Sequence, residues 1–351
     1  MDVHQSTASY EAWLRSHTAV VRRDLALKHQ LMRRTPFLFL RATFYRWIQL
    51  WADACPELLD AVPVEAIGDL HVENFGTWRD REGRLVWGVT DVDEACTLPY
   101  THDLTRLAAS ALLARRAGRL SVSRADICRA ILTGYRQGLE AGGNPIVLAE
   151  HRGWLRDIAI EEMDNPKRFW KTLTRLTPAR AGAPRALLAE AMSETTTCRF
   201  YTRTAGVGSL GRPRFVALAT WNGGFIAREA KARVPSAAAW LKHPRWTALD
   251  GPAVLARACR AADPFFVATQ EWTVRRLAPD CTKINLEDMP KRRDEKRLLQ
   301  SMGWETANIH VAAEPARILS DLQRRPSRWL TEAATTMSEV LVRDWAVWRE
   351  K

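Results

Sequence analysis

Gly68-Asp69-Leu70-His71-Val72-Glu73-Asn74-Phe75-Gly76 and, beyond a polar turn, Leu85-Val86-Trp87-Gly88-Val89-Thr90-Asp91-Val92-Asp93-Glu94 are the stretches from which the organisation of this chain is read. A short apolar run, residues 61–67, leads into the first. Residues 79–84, RDREGR, supply a glycine-containing turn, and the second stretch begins as a short strand and ends in acids. Hairpin-like geometry is expected to carry both acidic clusters to the same end of a sheet.

Phosphoryl transfer asks little covalent chemistry of a protein. It needs a carboxylate near the acceptor hydroxyl, oxygen ligands for Mg²⁺ and cations against the phosphates. An Asp followed five residues later by an Asn suits a compact catalytic loop. In that reading Asp69 orients and deprotonates the acceptor and Asn74 offers the metal a neutral oxygen. Asp91 is then the anionic ligand between metal and nucleotide phosphates. Asp93 reads as a second metal ligand or as hydrogen-bonding support. His71 has three open roles: orienting the loop, contacting substrate as part of the catalytic group, or packing. Glu73 and Glu94 are expected to face solvent or to support neighbours, and Asp103 and Arg106, one helical turn apart, to pair with each other. Any one of these carboxylates alone reads as a solvated turn or cap residue. The case rests on Asp69, Asn74 and Asp91 together.

Working outward, residues 9–34 and 37–53 read as helices. Helical patterning runs from 103 to about 193, with Gly118 as a stop and Ser123 as an N-cap. Near 198 the pattern changes to three short strands, 198–204, 213–220 and 224–230, with two more within 265–278. Segments 251–262, 291–312 and 327–349 return to helix. The turn between the first two strands carries Gly206, Gly208, Ser209 and Gly211, so its backbone can approach a polyphosphate without Cβ obstruction. It is neither a Walker A motif nor a dinucleotide fingerprint, because a strand follows it and not a helix. On the third strand Arg228 and Lys231 are candidate phosphate cations. Their odd spacing puts them on opposite faces of an unbroken strand, so only one serves unless a bulge intervenes. Solvation of both at the surface is the plain alternative.

The 351 residues hold 52 Lys and Arg against 40 Asp and Glu, a formal charge of +12. This favours anionic partners without choosing among nucleotides, nucleic acid and acidic surfaces. The dispersed arginines do not favour nucleic acid. Six cysteines lack disulfide-framework or zinc spacing, which suits free thiols in a reducing compartment. No apolar run is long enough for a membrane span, the opening residues lack a signal-peptide core, and a cytoplasmic location is expected.

On TPFLFLRA (35–42), GDLHVENFG (68–76), VTDVDEACTLPYTHDLTRLAAS (89–110), AGVGSLGRPRFVAL (205–218) and IAREAKA (226–232), the chain resembles the bacterial domain of unknown function 2252. VRRLAPDCTKINL (274–286) and GWETANIHVAA (303–313) are similar more loosely. The acidic segment is also similar to the catalytic region of aminoglycoside and choline kinase-like phosphotransferases. That resemblance implies Asp69 as catalytic aspartate and Asn74 and Asp91 as metal ligands. Ile67 stands where those kinases have His, and Val92 where an aromatic residue is usual. The uncharacterised family carries Lys-Glu-Ala where this chain has Arg228-Glu229-Ala230, and an Arg fork is no equivalent of a compact ammonium.

The implied fold is α+β, protein kinase-like and two-lobed, with a small antiparallel sheet lobe and a mainly helical catalytic lobe. The glycine-rich sheet follows the catalytic segment, the reverse of kinase order, so circular permutation is expected. The expected divisions are 1–195, 196–290 and 291–351. The expected activity is Mg²⁺-dependent transfer of a phosphoryl group from ATP to an unidentified acceptor. A non-catalytic nucleotide binder, a nucleotidyl transferase and a metal-dependent phosphoesterase are the alternatives.

Overall fold

The computed structural model describes residues 1–192, 197–283 and 292–350. The expected divisions at 195/196 and 290/291, and residues 284–286 of the loosely similar stretch, lie outside them. Four helices open the chain: α1 (Val3–Arg15), α2 (Arg22–Arg34), α3 (Pro36–Ala42) and α4 (Phe44–Ala54). Two single helices were expected here, and each is split. Ser16 turns its hydroxyl back onto the Trp13 carbonyl, and Val21 donates to the Gly211 carbonyl. Thr43 does the same to the Phe39 carbonyl (2.7 Å). Such side-chain bonds compete with helix continuation.

Next come β1 (Pro63–Ala66), β2 (Phe75–Arg79), β3 (Leu85–Val89) and β4 (Cys96–Pro99). β2 and β3 form the expected antiparallel hairpin, with Phe75 opposite Val89. The turn at 80–84 lies at one end, and both acidic turns lie at the other. β1 pairs with β4, so the acidic hairpin is flanked by its own two-stranded clamp.

α5 (Tyr100–Arg116) runs through the core, with every residue from Tyr100 to Ala114 buried. α6 (Arg124–Glu140) packs closely on α13 (Arg292–His310). Gly134 and Gly303 permit that approach. A Cβ on Gly303 would lie 2.1 Å from the Ile131 carbonyl oxygen, and one on Gly134 1.8 Å from that of Gln300. Short elements follow α6: β5 (Ile146–Val147), which extends the acidic hairpin, then α7 (Leu148–His151), α8 (Gly153–Glu161), α9 (Pro166–Thr174) and α10 (Arg185–Glu190).

The second half builds an antiparallel five-stranded sheet from β6 (Arg199–Thr202), β7 (Arg214–Trp221), β8 (Gly224–Ala232), β9 (Val267–Ala268) and β10 (Trp272–Leu277). Its order is β6-β7-β8-β10-β9. α11 (Ala237–Leu241) and α12 (Gly251–Arg257) lie between β8 and β9. One face of the sheet is covered at one end by Phe169, Trp170 and Leu173 of α9, which pack on Tyr201, Val216, Leu218 and Ala227. After α13, α14 (Pro315–Arg324) and α15 (Trp329–Arg349) complete the chain, α15 packing on α5. The fold is thus α+β, helices combined with small antiparallel sheets. All six cysteines are free, and no helix of the described residues is long and apolar enough to cross a membrane.

Candidate functional site

A buried helix that carries polar side chains must satisfy them, and α5 does so by holding the first acidic turn. Asp103 accepts from the backbone N–H groups of Ile67 (2.7 Å) and Gly68 (3.0 Å). Arg106 binds Asp69 Oδ1 through Nε (3.0 Å) and through a second nitrogen. Ser110 Oγ accepts from Val72 N (3.0 Å). Residues 103, 106 and 110 share one helix face, so a single stripe of α5 seats the loop from 67 to 72. The expected Asp103–Arg106 pair does not form. Asp103 binds loop backbone and two histidines, His102 and His310, while Arg106 is spent on Asp69. At Gly68, with φ of +77°, a Cβ would lie 2.2 Å from the Glu94 carbonyl oxygen, so only glycine lets the two acidic turns touch.

Asn74 ties the turns together. Its amide donates to the Asp69 carbonyl (3.2 Å) and the Asp91 carbonyl (2.8 Å), and its Oδ1 accepts from Asp91 N (2.9 Å). Asn74 thus clips the two turns together, and its Oδ1, the oxygen expected to face a metal, accepts one backbone N–H. His71 Nδ1 accepts from Glu73 N (3.1 Å), which leaves Nε2 to carry the proton. Burial first, then the nearby Arg41 and Lys283, depress its pKa well below the ordinary value. His71 is therefore a neutral donor at the cleft.

The parity argument on β8 holds, and it decides against Arg228. Lys231 faces the acids, its Nζ 3.1 Å from Asp91 Oδ2 and 2.7 Å from Asp93 Oδ2. Arg228, on the other face, stacks over Phe265 (4.2 Å) and donates to its neighbour's carbonyl. The structure does not bring it to the cleft. Asp93 also receives Arg212 (2.9 Å), which reaches on to Glu94 (3.2 Å). Glu94 was expected to face solvent or support neighbours. It is buried, and its Oε2 accepts from Ala237 N at the start of α11 (2.7 Å).

The glycine turn closes over this cluster. Gly206, Gly208 and Ser209 line the same cleft as Asp69, His71, Asn74, Asp91 and Asp93. A Cβ on Gly208 would lie 3.5 Å from Asp69 Oδ2 and 3.0 Å from the Arg41 carbonyl oxygen. Ser209 Oγ accepts from Arg214 (2.7 Å), whose other bond goes to Glu229 beneath the turn. Gly211 departs from expectation. It packs on Leu25 of α2, outside the cleft. The cleft is small, about 60 Å³. That is space for a few waters or a phosphate-sized group.

Electrostatics separate the carboxylates. Partial loss of solvent would raise Asp91, but Lys231 and Arg275 hold it far below the usual range. Burial raises Asp69 despite Arg106. Burial also pushes Glu94 up to about 7, against the pull of Arg212. Lys28, reaching from α2 to the Gly208 carbonyl (3.1 Å), is lowered to about 8 by burial and then by Arg212. Lys28, Arg41, Arg212 and Lys283 all line the cleft. Sequence reasoning left them unassigned, although Arg212 directly follows the glycine turn and Arg41 lies within the TPFLFLRA stretch.

Among the described residues no group of three or more His, Cys, Asp or Glu side chains is arranged to hold a metal ion. Mg²⁺ is in general held by only one or two carboxylates, with phosphates and water completing its shell. Asp91, whose side chain is 41% exposed, offers the accessible oxygen, and Asp93 shares its own with Lys231 and Arg212.

Residues 20–165 and 199–351 match the profile of a family described as uncharacterized proteins conserved in bacteria, DUF2252. No curated protein and no solved structure matches the chain. With the matched stretches spanning the acidic turns, their α5 seat, the glycine turn and Lys231, the chain belongs to the DUF2252 family.

Proposed function

We propose that the protein is a Mg²⁺-dependent ATP phosphotransferase of kinase-like, circularly permuted plan. The observation that carries this reading is one convergence. A glycine turn between the first and second strands of an antiparallel sheet and two acidic turns more than a hundred residues earlier line one cleft, and a lysine on the third strand pairs with the carboxylates of the second acidic turn. In protein kinases a glycine-rich loop covers the phosphates, a lysine on the third strand binds them, and an aspartate holds the metal. Lys231, and not Arg228, suits the lysine role here. The permutation is supported by α13, part of which resembles the helix that leads toward the catalytic loop of kinases. Its Glu305 accepts from Val89 N (3.1 Å) at the end of β3.

Asp69 serves as the acceptor-facing base. Arg106 fixes Oδ1, Oδ2 lies on the Gly208 side, and burial makes the carboxylate more basic than one in water. His71 donates from Nε2 to a substrate oxygen. Mg²⁺, when bound at Asp91, would draw charge from the transferring phosphoryl oxygens. Lys231 would leave the carboxylates for the phosphates as nucleotide enters. The glycine turn must lift for this, because the cleft as it stands is far smaller than a nucleotide.

Incubation with Mg·ATP and a panel of hydroxyl acceptors tests the reading by product mass. The expected product gains one phosphoryl group, and the Asp69→Asn variant loses at least about a hundredfold in rate, the low end for a general base. Gain of a nucleoside monophosphate would point to nucleotidyl transfer. Phosphate release from monoesters without nucleotide would point to a phosphoesterase. Nucleotide binding without turnover would reduce the protein to a binder.

A further inference from the structure

We propose that the cleft contains a second anion subsite, formed by Lys28, Arg41 and Lys283 beside Asp69, which selects an acceptor bearing its own phosphate or carboxylate group. The inference rests on the phosphotransferase reading for the word acceptor, but the anion subsite stands on separate residues from the nucleotide-side pair of Lys231 and Asp91.

Three observations build the subsite. Lys28 is 5% exposed and has no carboxylate within ion-pair distance among the described residues, its ammonium being held by the Gly208 carbonyl. A buried ammonium with one carbonyl partner has donors to spare, since the group carries three. Arg41 pairs with Glu73 through one terminal nitrogen, while its buried Nε has no hydrogen-bond partner. Lys283, which is exposed, lines the cleft and donates to the Glu73 carbonyl (2.7 Å). Neutral His71 adds an uncharged donor next to them.

Arg212, which also lines the cleft, and Lys231, which pairs with two of its carboxylates, are already matched. Arg212 is held by Asp93 and Glu94, and Lys231 by Asp91 and Asp93. A buried ammonium without a carboxylate, Lys28, and a guanidinium with an unused Nε, Arg41, therefore lie on the Asp69 side, where an acceptor hydroxyl would sit. A neutral alcohol would leave the buried Lys28 ammonium without a counter-charge. An anionic group two or three bonds from the hydroxyl would satisfy it and fix the hydroxyl against Asp69 Oδ2.

Inorganic phosphate is the probe. Binding to the full chain is measured calorimetrically, alone and with saturating Mg²⁺ and a non-hydrolysable ATP analogue, for wild type, Lys28→Met and Arg41→Gln. Unfolding midpoints of each variant are recorded so that a misfolded protein is recognised. Wild type is expected to bind phosphate in both conditions. Each variant should bind it about tenfold more weakly, as loss of one charge-assisted hydrogen bond implies, with analogue affinity unchanged. Loss of phosphate binding when the analogue is present would assign these cations to the nucleotide and overturn the inference, leaving the phosphotransferase reading intact. Phosphate binding that depends on Lys28, with no analogue binding at all, would keep the anion subsite and remove the phosphotransferase reading. No phosphate binding by a folded wild type, or equal binding by both folded variants, would overturn the inference outright.

Discussion

Arg106 changes what a substitution at Asp69 reports. Its guanidinium is fully buried, sits over the Phe44 and Trp47 rings, and has Asp69 as its only carboxylate partner among the ion pairs of the described residues. Asp69→Asn therefore leaves a buried positive charge without its counter-charge as well as removing a base. A stability loss on the order of 3 kcal/mol is expected, at the low end for a broken buried pair. Denaturant unfolding should show it, and activity must be compared where both proteins are folded. Unchanged stability would mean that the pair is not formed in solution. Glu94 gives a second expectation at this scale. Its folded pKa of about 7 lies above the ordinary 4.5, so between those values the folded state holds the proton more tightly than the unfolded one. Stability from this group then falls as pH rises from about 4.5 to 7 and levels off above that, by roughly 3 kcal/mol in all. Glu94→Gln should flatten that decline, read from unfolding free energies at pH 5 and 7.5. An equal decline in the variant would show that Glu94 is not the group responsible.

The contact between α6 and α13 reaches the site through one side chain. Glu305 of α13 accepts from Val89 N and from Asn308 (2.9 Å), and a Cβ on Gly88 would strike it. Gly303 sets how closely α13 lies against α6. Gly303→Ala forces a Cβ toward the Ile131 carbonyl and should destabilise the fold by about 1–3 kcal/mol, the usual range for overpacking. Because α13 moves with it, the β3 end that carries Asp91 should lose hydrogen-exchange protection at Val89 more than the β6–β7 hairpin does. Uniform loss across both would argue against a specific path through Glu305. The β2–β3 hairpin was legible because its turn and apolar strands are local in sequence. The parity of Arg228 and Lys231 was legible for the same reason, though not which of them faces the acids. The α5 stripe was missed, yet a signal existed. Asp103, Arg106 and Ser110 recur at helical spacing on a helix otherwise rich in Ala and Leu, which is the pattern of buried polar groups with a common partner.

At the scale of the molecule, the cleft joins segments that no local pattern connects. Lys28 comes from α2, Asp69 and Asp91 from the turns before β2 and after β3, Gly206–Ser209 from the turn between β6 and β7, and Lys283 from beyond β10. Sequence could name the acids and the glycines because their types are unusual for their places. It could not name Lys28 or Lys283, which are ordinary lysines until tertiary packing buries the first and brings both to the lining of one cleft. Nor could it foresee that Asn74 would spend its amide on two backbones, since a clip and a metal ligand share the same residue type and spacing. The central claim is that nucleotide phosphates lie between the glycine turn and Asp91, with Lys231 as their cation. A structure with Mg²⁺ and a non-hydrolysable ATP analogue tests it most directly. The account predicts phosphates beneath Gly206–Ser209, Mg²⁺ on Asp91, and Lys231 Nζ moved from the Asp91–Asp93 pair onto a phosphate oxygen. An analogue bound away from that turn and from Asp91, or Lys231 still bridging the two carboxylates beside a bound nucleotide, would contradict it.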